Sequence, residues 1–187
     1  MRVITGTAKG MRLMSLPGDE VRPTYDRVKE AIFSIIQFDI EGRRVLDLFA
    51  GSGQLGIEAL SRGAQNATFV DSNRSAIAVI KENLEKTRLT KSAVVLQTDA
   101  VGFIKNYRGV EFDVVLLDPP YHEDLLAEVL PYAAAHTSES GVIVCESAKK
   151  SFEFPETVGD FVLCVNRNYS HTIVGVYRHR NMVEIQE

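Results

Sequence analysis

Asp118-Pro119-Pro120-Tyr121, at the end of the apolar run Phe112 to Leu117, combine a carboxylate, two imino acids and an aromatic ring in an order that few chemistries need. The combination suits alkylation of an exocyclic amine. The amino group of a nucleobase is a poor nucleophile because its lone pair is delocalised into the ring. An enzyme that alkylates it must hold both N–H bonds and draw the lone pair out of the plane. Asp118 and a backbone carbonyl of the turn provide two acceptors. The prolines restrict φ, disfavour helical geometry before each ring and carry no N–H, so these acceptors sit on a stiff backbone that reorganises little during reaction. Tyr121 offers a flat face for an extruded base, a contact worth roughly 1–3 kcal/mol per base. Taken alone, the tetrapeptide also suits a plain strand end with a packed tyrosine.

A second motif favours the chemical reading. Val45-Leu46-Asp47-Leu48-Phe49-Ala50-Gly51-Ser52-Gly53-Gln54-Leu55-Gly56 is a strand pattern running into glycines and then a helix that begins about Gln54, with G-x-G-x-x-G in strand-turn-helix context. Gly51 and Gly53 remove β-carbons that would hold a ligand away from the backbone, and the helix start offers N–H groups and partial positive charge. Asp71 ends the next apolar segment, Ala67 to Val70, at the spacing where an acidic side chain accepts from a ribose diol. Asp99 ends a third, Val94 to Thr98. Any one of these acids could simply cap the helix that follows it; together with the glycines they predict one cofactor crevice.

The elements that must position these groups alternate. Residues 43–48, 67–70, 93–98, 112–117 and 141–146 are apolar and β-rich, and helical patterns fill the gaps. One helix stops at Gly63. Another, after Asp71-Ser72-Asn73, carries Ile77, Ile80, Leu84 and Val79 on its apolar face. Repeated βα units predict a parallel sheet. By contrast, Phe161 to Val165 and Thr172 to Tyr177 are separated only by residues 166–171, too few for a crossover helix, so they must form an antiparallel hairpin. Upstream, Arg22 to Phe33 reads as a helix with Thr24 as cap and Val28, Ala31, Ile32, Ile35 and Ile36 facing the core. Residues 1–20 suggest a small β arm bearing Arg2, Lys9 and Arg12, whose simplest role is a solvated face.

Composition bounds the rest. The chain has 187 residues, 45% hydrophobic and 25% charged, which predicts one globular domain over 1–187, with an arm and helix over 1–40 and a catalytic core over 41–180. A net charge of −4 argues against coating nucleic acid by electrostatics alone, leaving local basicity in the arm. No apolar run approaches the ~18 residues of a membrane span and no signal core follows the N-terminus, so a cytoplasmic location without membrane contact is expected. Cys145 and Cys164 lie in apolar strand-like segments without C-x-x-C spacing or a histidine cluster. Buried reduced thiols are expected and a metal is not.

A parallel sheet ending in an antiparallel hairpin, over residues 43–178, is similar to the Rossmann-like sheet of class I S-adenosylmethionine-dependent methyltransferases, an α/β fold of seven strands in the order 3-2-1-4-5-7-6. Three blocks narrow the likeness: Arg22-Pro-Thr-x-Asp26-Arg27-Val28-Lys-Glu30-Ala31-Ile-Phe33, Asp47-Leu-Phe-Ala-Gly51-Ser-Gly53-x-Leu55-Gly56-x-Glu58-Ala59-Leu60-Ser-Arg-Gly63-Ala, and Asp118-Pro-Pro-Tyr121. Over nearly the whole chain they resemble the bacterial 16S ribosomal RNA guanine-N2 methyltransferases. The resemblance implies S-adenosylmethionine as cofactor, with Asp47, Gly51 and Gly53 by its methionine part, Asp71 by the ribose and Asp99 by the adenine. Phe49, Ser72, Ala100 and Thr24 complete the candidate cofactor set. Asp118, Pro119, Pro120 and Tyr121 would hold the target guanine, and Arg2, Lys9, Arg12 and Arg22 the RNA; Thr24 and Arg22 suit either cofactor or RNA. The implied partner is ribosomal RNA within a small-subunit assembly particle, met by a monomer. Asp71 and Tyr121 stand where the family often has glutamate and phenylalanine, which bears on exact substrate more than on activity.

Other readings remain open at this level. A nicotinamide-binding oxidoreductase suits the glycines and Asp71 but leaves Asp118 to Tyr121 unexplained. DNA adenine or cytosine amino methyltransferases and protein-glutamine methyltransferases share the catalytic turn, although unaided reading of DNA usually needs a larger surface. A non-catalytic RNA-binding protein predicts damage at Gly51, Asp71 or Asp118, and none is seen. His122, after the motif, suits a solvated cap better than a general base.

Overall fold

The computed structural model describes residues 1–16, 23–120, 125–148 and 152–183, apart from the side chains of residues 23–25. Arg22, Tyr121 and His122 therefore lie outside the described residues. In chain order the elements are α1 (Pro23–Ile35), β1 (Arg44–Asp47), α2 (Gln54–Ser61), β2 (Asn66–Asp71), α3 (Arg74–Thr87), β3 (Ala93–Gln97), α4 (Ala100–Asn106), β4 (Phe112–Leu117), α5 (Leu125–Ala135), β5 (Thr137–Ala148), β6 (Thr157–Val158), β7 (Phe161–Tyr169), β8 (Thr172–His179) and α6 (Arg180–Val183).

The strands form one sheet in the order β3-β2-β1-β4-β5-β8-β7-β6. Pairing is parallel from β3 through β5 and antiparallel from β5 to β6. The expected order is present, but the sheet has eight strands rather than seven. The extra one, β6, is a two-residue edge piece pairing Thr157 with Val162 and Val158 with Phe161. Two residues are too short to show an alternating pattern.

The hairpin strands are also longer than the expected segments, because residues 166–169 pair within the ladder up to Tyr169 opposite Thr172. Only Ser170 and His171 turn the chain, with Ser170 at φ +52°. Polar residues on a half-exposed strand masked this extension. For the same reason Cys164, expected to be buried, is exposed on β7, while Cys145 is buried.

Each central strand is covered on both faces, which is why its sequence is apolar without alternation. Val45, Val114, Leu116, Val142 and Val144 face a core shared with α1, α2, α3 and the N-terminal arm. Leu46, Val115, Leu117, Ile143 and Cys145 face one shared with α4 and α5. Helix α1 begins at Pro23, a residue pre-set for a first helical position. Thr24 therefore lies inside the first turn and is not the cap.

The arm is held by side chains rather than by its own ladder, which is a single antiparallel bridge between Arg2 and Arg12. The amides of Ile4 and Thr5 donate to the two carboxylate oxygens of Glu58 at 2.7 and 3.0 Å. Ala8 N–H donates to Ser61 Oγ, and Met14 and Asn83 exchange two hydrogen bonds. Gly6 passes so close to α2 that a Cβ would stand 1.7 Å from the Ser61 carbonyl oxygen.

Candidate active site

The first site element is the turn between β1 and α2. Gly51 and Gly53 have φ of +52° and +77°, in the left-handed region that favours glycine. A Cβ on Gly51 would meet nothing within 4 Å, so that glycine leaves open space, whereas one on Gly53 would crowd Ile80 at 3.2 Å. The third glycine, Gly56, serves packing: a Cβ there would lie 2.3 Å from the ring of Phe69 on β2. Asp47, at the end of β1, accepts from Gly56 N–H at 2.9 Å and so ties strand to helix. Asp71, at the end of β2, accepts from Gly51 N–H and Asn73 N–H, both at 2.8 Å. It braces the glycine turn as well as standing at its rim. Asn73, not Asp71, caps α3.

The second element is a row of carboxylates along the C-terminal edge of the sheet. Side chains two apart on a strand share a face. Asp47 therefore points with Val45 and Glu146 with Val144, toward the first of the two cores, and Asp118 directly follows β4. Asp47 is level with Leu116 across β1 and β4, and Leu117 with Cys145 across β4 and β5. Asp118 and Glu146 each follow that last pair directly, and Asp118 is near enough for its charge to act on Glu146.

Burial sets the proton affinity of this row. It raises Asp47 to about 7, helped by the charges of Asp118 and Asp71 and opposed by the Gly56 hydrogen bond. It raises Asp118 to about 6, although that side chain is only half-buried by exposure. Glu146 is pushed well above the ordinary carboxylate range, first by burial and then by Asp118 and Asp47. Among the described residues, no hydrogen bond or ion pair meets the side chain of Asp118 or Glu146. Such an edge stabilises positive charge and N–H donors brought by a ligand. No group of three histidine, cysteine, aspartate or glutamate residues there is arranged to hold a metal ion, again among the described residues.

Residues 1–178 match the family model described as conserved hypothetical protein 95. The chain is 44% identical over 184 residues to Bacillus subtilis YlbH, an rRNA methyltransferase by name, covering 96% of this chain and 100% of that one. It is 38% identical over 132 residues to the ribosomal RNA small subunit methyltransferase D of Haemophilus influenzae, covering 70% and 68%. The chain belongs to the S-adenosylmethionine-dependent 16S ribosomal RNA methyltransferase family. A solved structure of Escherichia coli yhhF, named a methyltransferase, superposes with a TM-score of 0.84 at 29% identity over 96% of this chain and 97% of that one. The sheet is the Rossmann-like methyltransferase fold.

The remaining candidates of this family member fall in different places. Ser72 is exposed beside Asp71, and Asp99 is exposed and caps α4 by accepting from Gly102 N–H at 2.6 Å. Ala100, the first residue of α4, is buried, and Phe49 is partly buried against the same second core. Thr24 lies on α1, with its side chain outside the described residues. Arg2, Lys9 and Arg12 are exposed on the arm. Arg2 and Lys9 line a groove of about 240 Å³ together with Asp26 and Glu30, which offset part of their charge.

Two features went unnoticed in the sequence. Glu146 ends the apolar run Val142 to Cys145 just as Asp47 and Asp118 end theirs, and that shared signal could have found it. Glu58 is fully buried and gathers the arm amides, Arg62 at 2.8 Å and Lys29 at 3.9 Å, joining arm, α1 and α2. Burial lowers the proton affinity of Lys29, opposed by Glu58 and Asp26.

Proposed function

We propose that the chain transfers a methyl group from S-adenosylmethionine to the exocyclic N2 amine of a guanine in 16S ribosomal RNA. The observation that carries this reading is Asp118: a carboxylate met by no donor among the described residues, at the end of β4, followed by two prolines and set beside the β1–α2 glycine turn. The open space at Gly51, the acid at Asp71 and the buried carboxylates fit a ligand bearing a ribose and a positive charge.

When bound, the cofactor would supply a methyl group on a sulfonium, with the neutral thioether as leaving group. Asp118 and a carbonyl of the proline turn hold the two N–H bonds of the amine and direct its lone pair. Transfer would exchange the S–CH3 bond for an N–CH3 bond and move positive charge from sulfur to nitrogen. A fixed carboxylate stabilises the developing ammonium more than the neutral amine, which lowers the barrier. The ammonium would then lose one proton to water, leaving the neutral N-methyl amine. Gly51, Gly53 and Asp47 would border the methionine part, Asp71 the ribose and Asp99 the adenine, with Phe49, Ser72, Ala100 and Thr24 completing the cofactor set.

Tyr121 stacks on the flipped base, whose extrusion costs a few kcal/mol and least in an RNA loop. Arg2, Lys9, Arg12 and Arg22 hold phosphates of ribosomal RNA in a small-subunit assembly particle, which itself positions the target. The chain acts as a cytoplasmic monomer with one catalytic domain.

The test is transfer of labelled methyl to small subunits lacking the modification, with naked ribosomal RNA and genomic DNA in parallel and mass spectrometry of the product nucleosides. N2-methylguanosine in ribosomal RNA is expected. Label confined to DNA, or to another base, overturns the reading.

A further inference from the structure

Glu146 lies within β5, 5% exposed, with Cys145 at 0% and Ser147 at 5% on either side and Val174 of β8 opposite. By contrast, the fully buried Glu58 is met by two amides, an arginine and a lysine. Among the described residues, nothing donates to Glu146. With the residue so largely buried and no protein donor at its carboxylate, the position suits a ligand that brings the donor.

Strand register says which ligand. Asp118 and Glu146 directly follow Leu117 and Cys145, the last pair of the β4–β5 ladder, and lie close enough for the charge of Asp118 to act on Glu146. Two adjacent acceptors complement an edge with two adjacent donors. The Watson–Crick edge of guanine has that pattern, N1–H beside the N2 amine. Adenine and cytosine each place a ring-nitrogen lone pair beside their amine, and that lone pair would face a carboxylate. Enzymes that act on an extruded base read it by hydrogen bonds to this edge.

We propose that Glu146 selects guanine, accepting N1–H of the target base while Asp118 holds the N2 amine. The assignment rests on the guanine-N2 reading above and explains how the site would choose its base.

The experiment compares the protein with Glu146→Leu, which keeps about the same volume but has no acceptor, and with Glu146→Asp. Each is assayed for N2-methylguanosine formation on small subunits lacking the modification. Cofactor affinity is measured by calorimetry and the melting temperature alongside. For Glu146→Leu, kcat/KM is expected to fall by about 100-fold or more, as in sites built to hydrogen-bond their substrate. Glu146→Asp should retain more of it. Cofactor Kd should stay within about twofold, and the Leu variant should melt at the same or a higher temperature, because a buried carboxyl group without a protein donor has gone. Undiminished kcat/KM in Glu146→Leu overturns the assignment while leaving the guanine reading intact. A fall matched by lost cofactor affinity or a lower melting temperature makes Glu146 structural and also overturns it. If the unsubstituted protein makes no N2-methylguanosine, the guanine reading itself fails and the assignment falls with it.

Discussion

Binding of a sulfonium should expel protons from the carboxylate row. With Asp47 at about 7 and Asp118 at about 6, at pH 6.5 roughly three-quarters of Asp47 and one-quarter of Asp118 carry a proton in the free protein. A positive charge about 6 Å away, at an effective dielectric near 20, favours the ionised form by about 3 kcal/mol, or about two pKa units. Both groups then ionise, and about one proton leaves per site. S-adenosylhomocysteine has the same amino-acid and adenosine groups but an uncharged sulfur, so it should release far fewer. Isothermal titration calorimetry of both ligands, in two buffers of different ionisation enthalpy at pH 6.5, measures the difference directly. In Asp47→Asn most of it should disappear. Equal proton release by both ligands would refute the reasoning, since it would mean that the row does not face the sulfonium.

Replacing Asp118 with Ala should abolish turnover with affinity for the uncharged S-adenosylhomocysteine nearly unchanged, whereas Asp71→Ala should weaken that binding both directly and by freeing Gly51 N–H; equal loss of that affinity in the two variants would contradict the division. Glu58→Ala leaves Lys29 buried without its carboxylate and should destabilise the fold by about 3–5 kcal/mol, with the amides of Ile4 and Thr5 losing hydrogen-exchange protection. Gly56→Ala drives a methyl to within 2.3 Å of the Phe69 ring and should cost about 1–3 kcal/mol in denaturant melts. Removing Arg2, Lys9 and Arg12 together should weaken RNA binding and flatten its dependence on salt, with cofactor affinity as the unaffected control.

The local order of this protein was determined by its sequence. Four to six β-branched and aliphatic residues in a row, buried on both faces, read as strand without ambiguity, and Phe112 to Leu117 begins and ends as its pattern does. The glycine turn, the start of α2 at Gln54 and the antiparallel return at the C-terminus follow from equally local rules of φ and connection length. Where the pattern was too short or too polar, as at β6 and the far half of β7, the ladder itself decided, because backbone pairing does not depend on apolar side chains. Thr24 looked like a cap from its type alone, but Pro23 starts the helix.

Contact between distant residues was beyond such rules. The arm amides reach Glu58 from more than fifty positions away, and its burial among cations is visible only once α1, α2 and the arm have packed. Asp47, Asp118 and Glu146 each end an apolar run, which the sequence displays. That they form one row depends on β1, β4 and β5 lying side by side in register. Their raised proton affinities follow from that arrangement, since desolvation and mutual repulsion are properties of what surrounds a carboxylate and not of the residue that bears it.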